Sequence, residues 1–241
     1  MTFMQNKTVP WLPTTPVPTR LLLWLSCSTL GSLLFTTTYL IEGATRPGYS
    51  TWQQAISALS LGPGGWVQQI NFVVFGVIVL WTTFAWRKLL KGGVGATWYP
   101  IVRGLEGVGL IIDGFFSQDP AFGYPAGAIL TTPTLHAVIH QIFAFMSITA
   151  IAVGFFILAW RFTKEPGWRG WALYSALTGL LTIVFIAIFG AANGQHSAIA
   201  GLFERLSTSL GTLWGILFFI RLWTGTGFGV FQRRASSRVT A

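Results

Sequence analysis

Charge is scarce in this chain: 9% of its 241 residues are Asp, Glu, Lys or Arg, against roughly a quarter in a soluble domain. With 52% hydrophobic residues and a mean hydropathy of +0.62, that scarcity excludes a soluble globular fold and leaves lipid as the solvent. A single cysteine, Cys27, excludes an internal disulfide and reads as a small packing residue. No lysine falls inside an apolar run, which excludes a retinal Schiff base. The repeated arginines of a voltage sensor are missing, as are phosphate-binding glycine loops and nucleophile elbows. No internal repeat or matched pair of broken helices supports a secondary transporter.

What is present is a set of six long apolar runs: Leu21 to Leu40, Trp66 to Trp86, Tyr99 to Phe116, Leu135 to Trp160, Trp171 to Ala192 and Ala198 to Trp223. A helix needs roughly 20 apolar residues to cross a hydrocarbon core about 30 Å thick, and barrel strands would alternate over about ten residues instead. The predicted fold is therefore all-α, a polytopic bundle of six transmembrane helices over residues 21–223. A proline-rich cytoplasmic arm (1–20, with Pro10, Pro13, Pro16 and Pro18) precedes it, and a basic tail (224–241) follows.

Basic residues alternate between the runs. Lys7, Arg20, Arg87, Lys88, Lys91, Arg161, Lys164, Arg169, Arg233, Arg234 and Arg238 fall on one side, and Arg46 stands alone on the other. Lys and Arg in short loops stay cytoplasmic, so both termini are predicted inside a multi-pass protein of the cell membrane. The formal net charge of +9 then reads as anchoring to anionic lipid. Nucleic acid is excluded as a partner, because it would require the bases to gather on one soluble face. Membrane lipids are the expected partners, and the sequence names no particular protein partner.

Two outer connections stand out. From Tyr49 to Leu61, the residues Trp52, Ile56, Leu59 and Leu61 share one helical face, with Gln53, Gln54 and Ser57 off it. This predicts a short amphipathic interfacial helix between helices one and two. From Gln118 to Pro133 the chain is rich in Pro and Gly and carries no basic residue, as expected of a loop folded over the bundle mouth.

The polar residues of the runs carry the functional expectations, since a charge at the bilayer centre costs about 2.5 to 3.5 kcal/mol on insertion scales and must face protein or water. Arg103, Glu106, Leu110 and Asp113 recur at helical spacing on one stripe of helix three. Arg103 and Glu106 are expected to form a structural ion pair, and Asp113 has no cationic neighbour in sequence. Gly104, Gly107, Gly109 and Gly114 leave the rest of that helix smooth for close packing. Glu204 and Arg205, at the outer part of helix six, point about 100° apart, so one of them can meet helix three.

All three histidines are predicted on the outer rim. His136 and His140 are one turn apart on helix four, with about 6 Å between their β-carbons, and His196 lies between helices five and six. Three imidazoles with Asp119 make a candidate zinc set, each nitrogen about 2.0 to 2.1 Å from the ion. A zinc-bound water would be the nucleophile.

The order of short motifs resembles the domain-of-unknown-function family 998, six-helix membrane proteins. The motifs are Ile56-Ser57-Ala58-Leu59-Ser60, Gly114-Phe115-Phe116 with Asp119-Pro120, His136, and Gly201-Leu202-Phe203-Glu204-Arg205-Leu206 with Trp214 and Arg221-Leu222. The resemblance implies a fold and a membrane location but no activity. In chemistry the polar residues are also similar to membrane hydrolases such as the alkaline ceramidases, which join Ser, Asp and three His around zinc. Two expectations follow. One is a non-enzymatic membrane protein whose outer polar cluster binds a lipid headgroup, a partner or a metal. The other is a zinc-dependent hydrolase of a lipid ester or amide, with Asp113 or Asp119 orienting water and Ser57 stabilising the oxyanion.

Overall fold

The computed structural model describes residues 17–129 and 132–239, with side chains to Thr224. Residues 1–16, most of the expected arm, lie outside the described residues, as do the side chains of Arg233, Arg234 and Arg238 in the expected tail. Among the described residues there are six α-helices: α1 (Thr19–Thr45), α2 (Gly65–Leu89), α3 (Trp98–Phe115), α4 (Leu135–Thr163), α5 (Arg169–Gly194) and α6 (Ala200–Val239). A 3₁₀ helix, Ile56–Ser60, stands between α1 and α2. Five of the six, all but α3, are long and apolar enough to cross a membrane, which makes this a multi-pass membrane protein. α3 is kept out of that set by Arg103, Glu106 and Asp113 within its 18 residues.

Each helix packs on its neighbours in sequence, and α6 closes against α1, so the six form a ring. Large apolar side chains such as Leu23, Leu34, Trp81, Phe145 and Leu173 are exposed on its outside, the side that faces hydrocarbon in a lipid-solvated bundle. Towards the C-terminal ends of α2 and α4, and midway along α6, the interior is filled by aromatic side chains: Trp86 lies edge-on to Tyr99 at 4.7 Å, and Trp214 stacks on Phe218 at 4.6 Å.

α3 packs closest to its neighbours because of its glycines. A β-carbon at Gly107 would lie 2.9 Å from the Gly76 carbonyl of α2, and one at Gly109 would lie 2.0 Å from Ser147 Oγ of α4. Gly114 is as tight, 2.7 Å from the Gln69 carbonyl, whereas Gly104 has nothing nearer than 4.0 Å. The smooth surface expected from the sequence thus serves both flanks of the helix.

Two arginines tie loops to helix ends. Arg46 pairs with Glu42 and donates to the carbonyls of Pro63 (2.9 Å) and Gly64 (3.0 Å), holding the turn that opens α2. Arg161 is fully buried, which corrects its assignment to the lipid-anchoring set. It pairs with Glu165 at 2.9 Å and donates to the Leu90 carbonyl at 3.4 Å, in a space that a side chain at Gly93 would fill.

The expected interfacial helix is corrected too. Ile56, Ser57, Ala58, Leu59 and Ser60 are all buried, and the polar face that the period assigned to water is covered by α6 and the loop after α3. Trp52 alone keeps the expected exposure, at 60%.

Candidate functional site

All six helices and the 3₁₀ helix line one cavity of about 180 Å³ inside the ring. The α3 stripe read from the sequence is one of its walls: Arg103, Glu106, Leu110 and Asp113 all face it. Across from them stand small polar residues of α1 (Ser28, Thr29, Ser32) and of α6 (Ser207, Thr208, Thr212). Trp86, Tyr99, Phe155 and Trp214 close one end, and Ile56, Ser57 and Glu204 stand at the other with Asp113 and His140.

Arg103 and Glu106 form the expected ion pair, and Arg103 Nη2 also donates to Ser28 Oγ at 3.2 Å. Glu106, 2% exposed, is thereby neutralised in place. Asp113, two turns further along α3, differs: it is 3% exposed, and its Oδ1 accepts no hydrogen bond. The neighbouring imidazole does not supply one. His140 Nδ1 lies 3.4 Å from that oxygen but 2.8 Å from the Phe116 carbonyl. A carbonyl only accepts, so the Nδ1 proton is committed to it, and the neutral ring keeps Nε2 as an acceptor.

Ser57 reaches the cavity from the 3₁₀ helix and donates to Gln118 Oε1 at 2.6 Å. Glu204 Oε2 accepts the Ile56 backbone N–H at 2.6 Å. Its neighbour Arg205 donates to the carbonyls of Gln54 and Gly201, both at 2.9 Å, and to the Tyr49 hydroxyl. The expectation that one of these two would meet α3 is therefore corrected, since both hold the segment before α2. Burial pushes the Tyr49 hydroxyl well above its ordinary range, so it stays a donor, here to the Ala55 carbonyl at 2.8 Å.

The four candidate zinc ligands are not brought together. Among the described residues no group of three His, Cys, Asp or Glu side chains is placed to hold a metal ion. One helical turn is enough to separate His136, exposed against the Phe116 ring at 5.0 Å, from the buried His140. His196 is exposed and edge-on to Phe122 at 5.2 Å. Both oxygens of Asp119 accept from Thr134, at 2.9 Å from its backbone N–H and 2.7 Å from its hydroxyl, fixing the N-cap of α4. Asp119→Ala is accordingly expected to lower stability by about 1 kcal/mol, read as a lower unfolding temperature in detergent, with metal content by elemental analysis unchanged.

The family model of DUF998, proteins of unknown function, matches residues 29–221, most of the chain. The chain belongs to this family. No curated protein and no solved structure matches it. The match spans every cavity-lining residue of this DUF998 protein except Ser28. Sequence reading missed Tyr49, Gln118 and the small polar face of α6. Only the last had a signal, because Ser207, Gly211 and Gly215 recur at four-residue spacing. Gln118 sits in a loop without a period to read, and Tyr49 lies off the face that the period of its segment picks out.

Proposed function

We propose that this protein is a six-span protein of the cell membrane, α3 included, with both termini cytoplasmic, and that it binds a small polar-headed ligand or a lipid headgroup within its helix ring. The alternation of basic residues supports the orientation. α3, whose charges all face inward, supports the sixth span. One observation carries the binding reading. Asp113 is buried with an unsatisfied oxygen, on the wall of a cavity that all six helices line. Arg103 pairs with Glu106, whereas Asp113 Oδ1 stands on the cavity wall as a buried carboxyl oxygen still open to a donor.

Gly211 offers the test. It lines the cavity, and a β-carbon there meets nothing nearer than Phe155 at 3.9 Å, so Gly211→Leu fills space without a backbone clash. Native mass spectrometry of protein released from its own membranes should show a bound small molecule or lipid on the wild type that Gly211→Leu lacks. Identical spectra would sink the reading.

The hydrolase alternative draws on the same wall, where Ser57, Asp113 and His140 meet one cavity. It requires zinc. Stoichiometric zinc in the wild type, lost from a His136→Ala, His140→Ala double variant, would put it first.

A further inference from the structure

Resting on the ligand-binding reading above, we infer that the occupant of this cavity carries an ammonium group, held by Asp113, on a compact apolar body. The charge balance of the wall points this way. Three carboxyls, Glu106, Asp113 and Glu204, line the cavity against one guanidinium and one imidazole, so acidic side chains outnumber basic ones on its wall. That guanidinium, Arg103, is already held by Glu106 and Ser28. The other nearby cation, Arg205, is turned to backbone carbonyls and Tyr49 and is absent from the wall. A phosphate or carboxylate entering here would meet like charge, with both terminal nitrogens of Arg103 already engaged and only its Nε without a partner. An ammonium brings N–H donors to Asp113 Oδ1, 3% exposed as a residue and lacking one, and its charge offsets that of the wall.

Size and lining define the rest of the molecule. Phe35, Phe72, Phe75 and Ile148 make much of the wall apolar, which suits an amphiphile and not a bare inorganic cation. An apolar cavity of about 150 Å³ accommodates benzene, so about 180 Å³ takes a ring or short chain bearing one amine. The same chemistry is offered by a free small amine and by the headgroup of an aminophospholipid.

The test measures benzylamine, benzyl alcohol and benzoate on the full-length protein in phosphatidylcholine nanodiscs, with Gly211→Leu nanodiscs as the background. Benzylamine is expected to bind at least tenfold tighter than benzyl alcohol, with benzoate weakest. Asp113→Asn should remove the amine's advantage while leaving the alcohol within twofold. Equal affinities, or benzoate tightest, would overturn the ammonium assignment and leave the ligand-binding reading standing. If no probe binds above the Gly211→Leu background, both fall. The wild-type series decides even where Asp113→Asn fails to fold. Adding phosphatidylethanolamine separates the sources: weaker benzylamine binding identifies a lipid headgroup as the occupant, and unchanged binding identifies a free amine, each in keeping with the ammonium site.

Discussion

Arg103→Met is expected to destabilise the protein by about 3–5 kcal/mol, the cost of leaving a buried charge without its partner. Glu106 is 2% exposed, and Arg103 is the partner that neutralises it on the cavity wall. Away from water the stranded carboxylate has three outcomes: to take up a proton, to draw water into the ring or to unfold the helix packing around it. Replacing both, as Arg103→Met with Glu106→Gln, removes the charge along with its partner and should recover most of the loss. Equilibrium unfolding in mixed micelles of the two singles and the double measures the coupling. A single variant no less stable than the double would mean that the pair is not coupled and that Glu106 is neutral in the native state.

The same pair shows what a sequence can disclose. Helical arithmetic puts Arg103, Glu106, Leu110 and Asp113 on one face, and that face is the cavity wall, because a charge inside a membrane helix has only an interior to turn to. The helix-forming runs were legible for a related reason, since lipid demands length and apolarity of every span. Helix ends were less so. α1 continues past Leu40 to Thr45 because Glu42 and Arg46 satisfy each other on a polar last turn.

The histidines and the segment before α2 show where sequence stops. Spacing alone places His136 and His140 on one face, but it does not tell that the C-cap of α3, Phe116, takes one by its carbonyl in the interior and meets the other by its ring at the surface. The period of Trp52, Ile56 and Leu59 describes an amphipathic surface only if nothing covers the second face. Here Gln118 and Glu204, 61 and 148 residues away in the chain, cover it. Long-range contacts of that kind leave no local pattern.

Arg205→Met and Gly201→Val are expected to release that segment, the first at roughly 3–5 kcal/mol from charge-assisted hydrogen bonds lost and the second at about 1–3 kcal/mol from overpacking against backbone. The first turn of α6 has N–H groups that its own helix cannot pair. They are capped by the loop: Gly201 N–H donates to the Gln53 carbonyl and Leu202 N–H to the Trp52 carbonyl, both at 3.1 Å. A β-carbon at Gly201 would stand 2.3 Å from the Gln54 carbonyl oxygen, so only glycine permits this approach. Arg205 then clasps Gln54 and Tyr49, while Glu204 caps Ile56. The sequence motifs around Ile56 and Gly201, far apart in the chain, are thus two sides of one joint, and the joint places Ser57 and Glu204 at the cavity. Hydrogen exchange at Ile56–Ser60 should rise by about two to four orders of magnitude in Arg205→Met and about one to two in Gly201→Val, since each tenfold corresponds to about 1.4 kcal/mol. Arg205→Lys should restore only part of the protection, because an ammonium lacks the fork that reaches a carbonyl and a hydroxyl together. Protection unchanged at Ile56–Ser60 with overall stability lowered would place the role of Arg205 within α6 alone and separate the cavity from the loop that covers it.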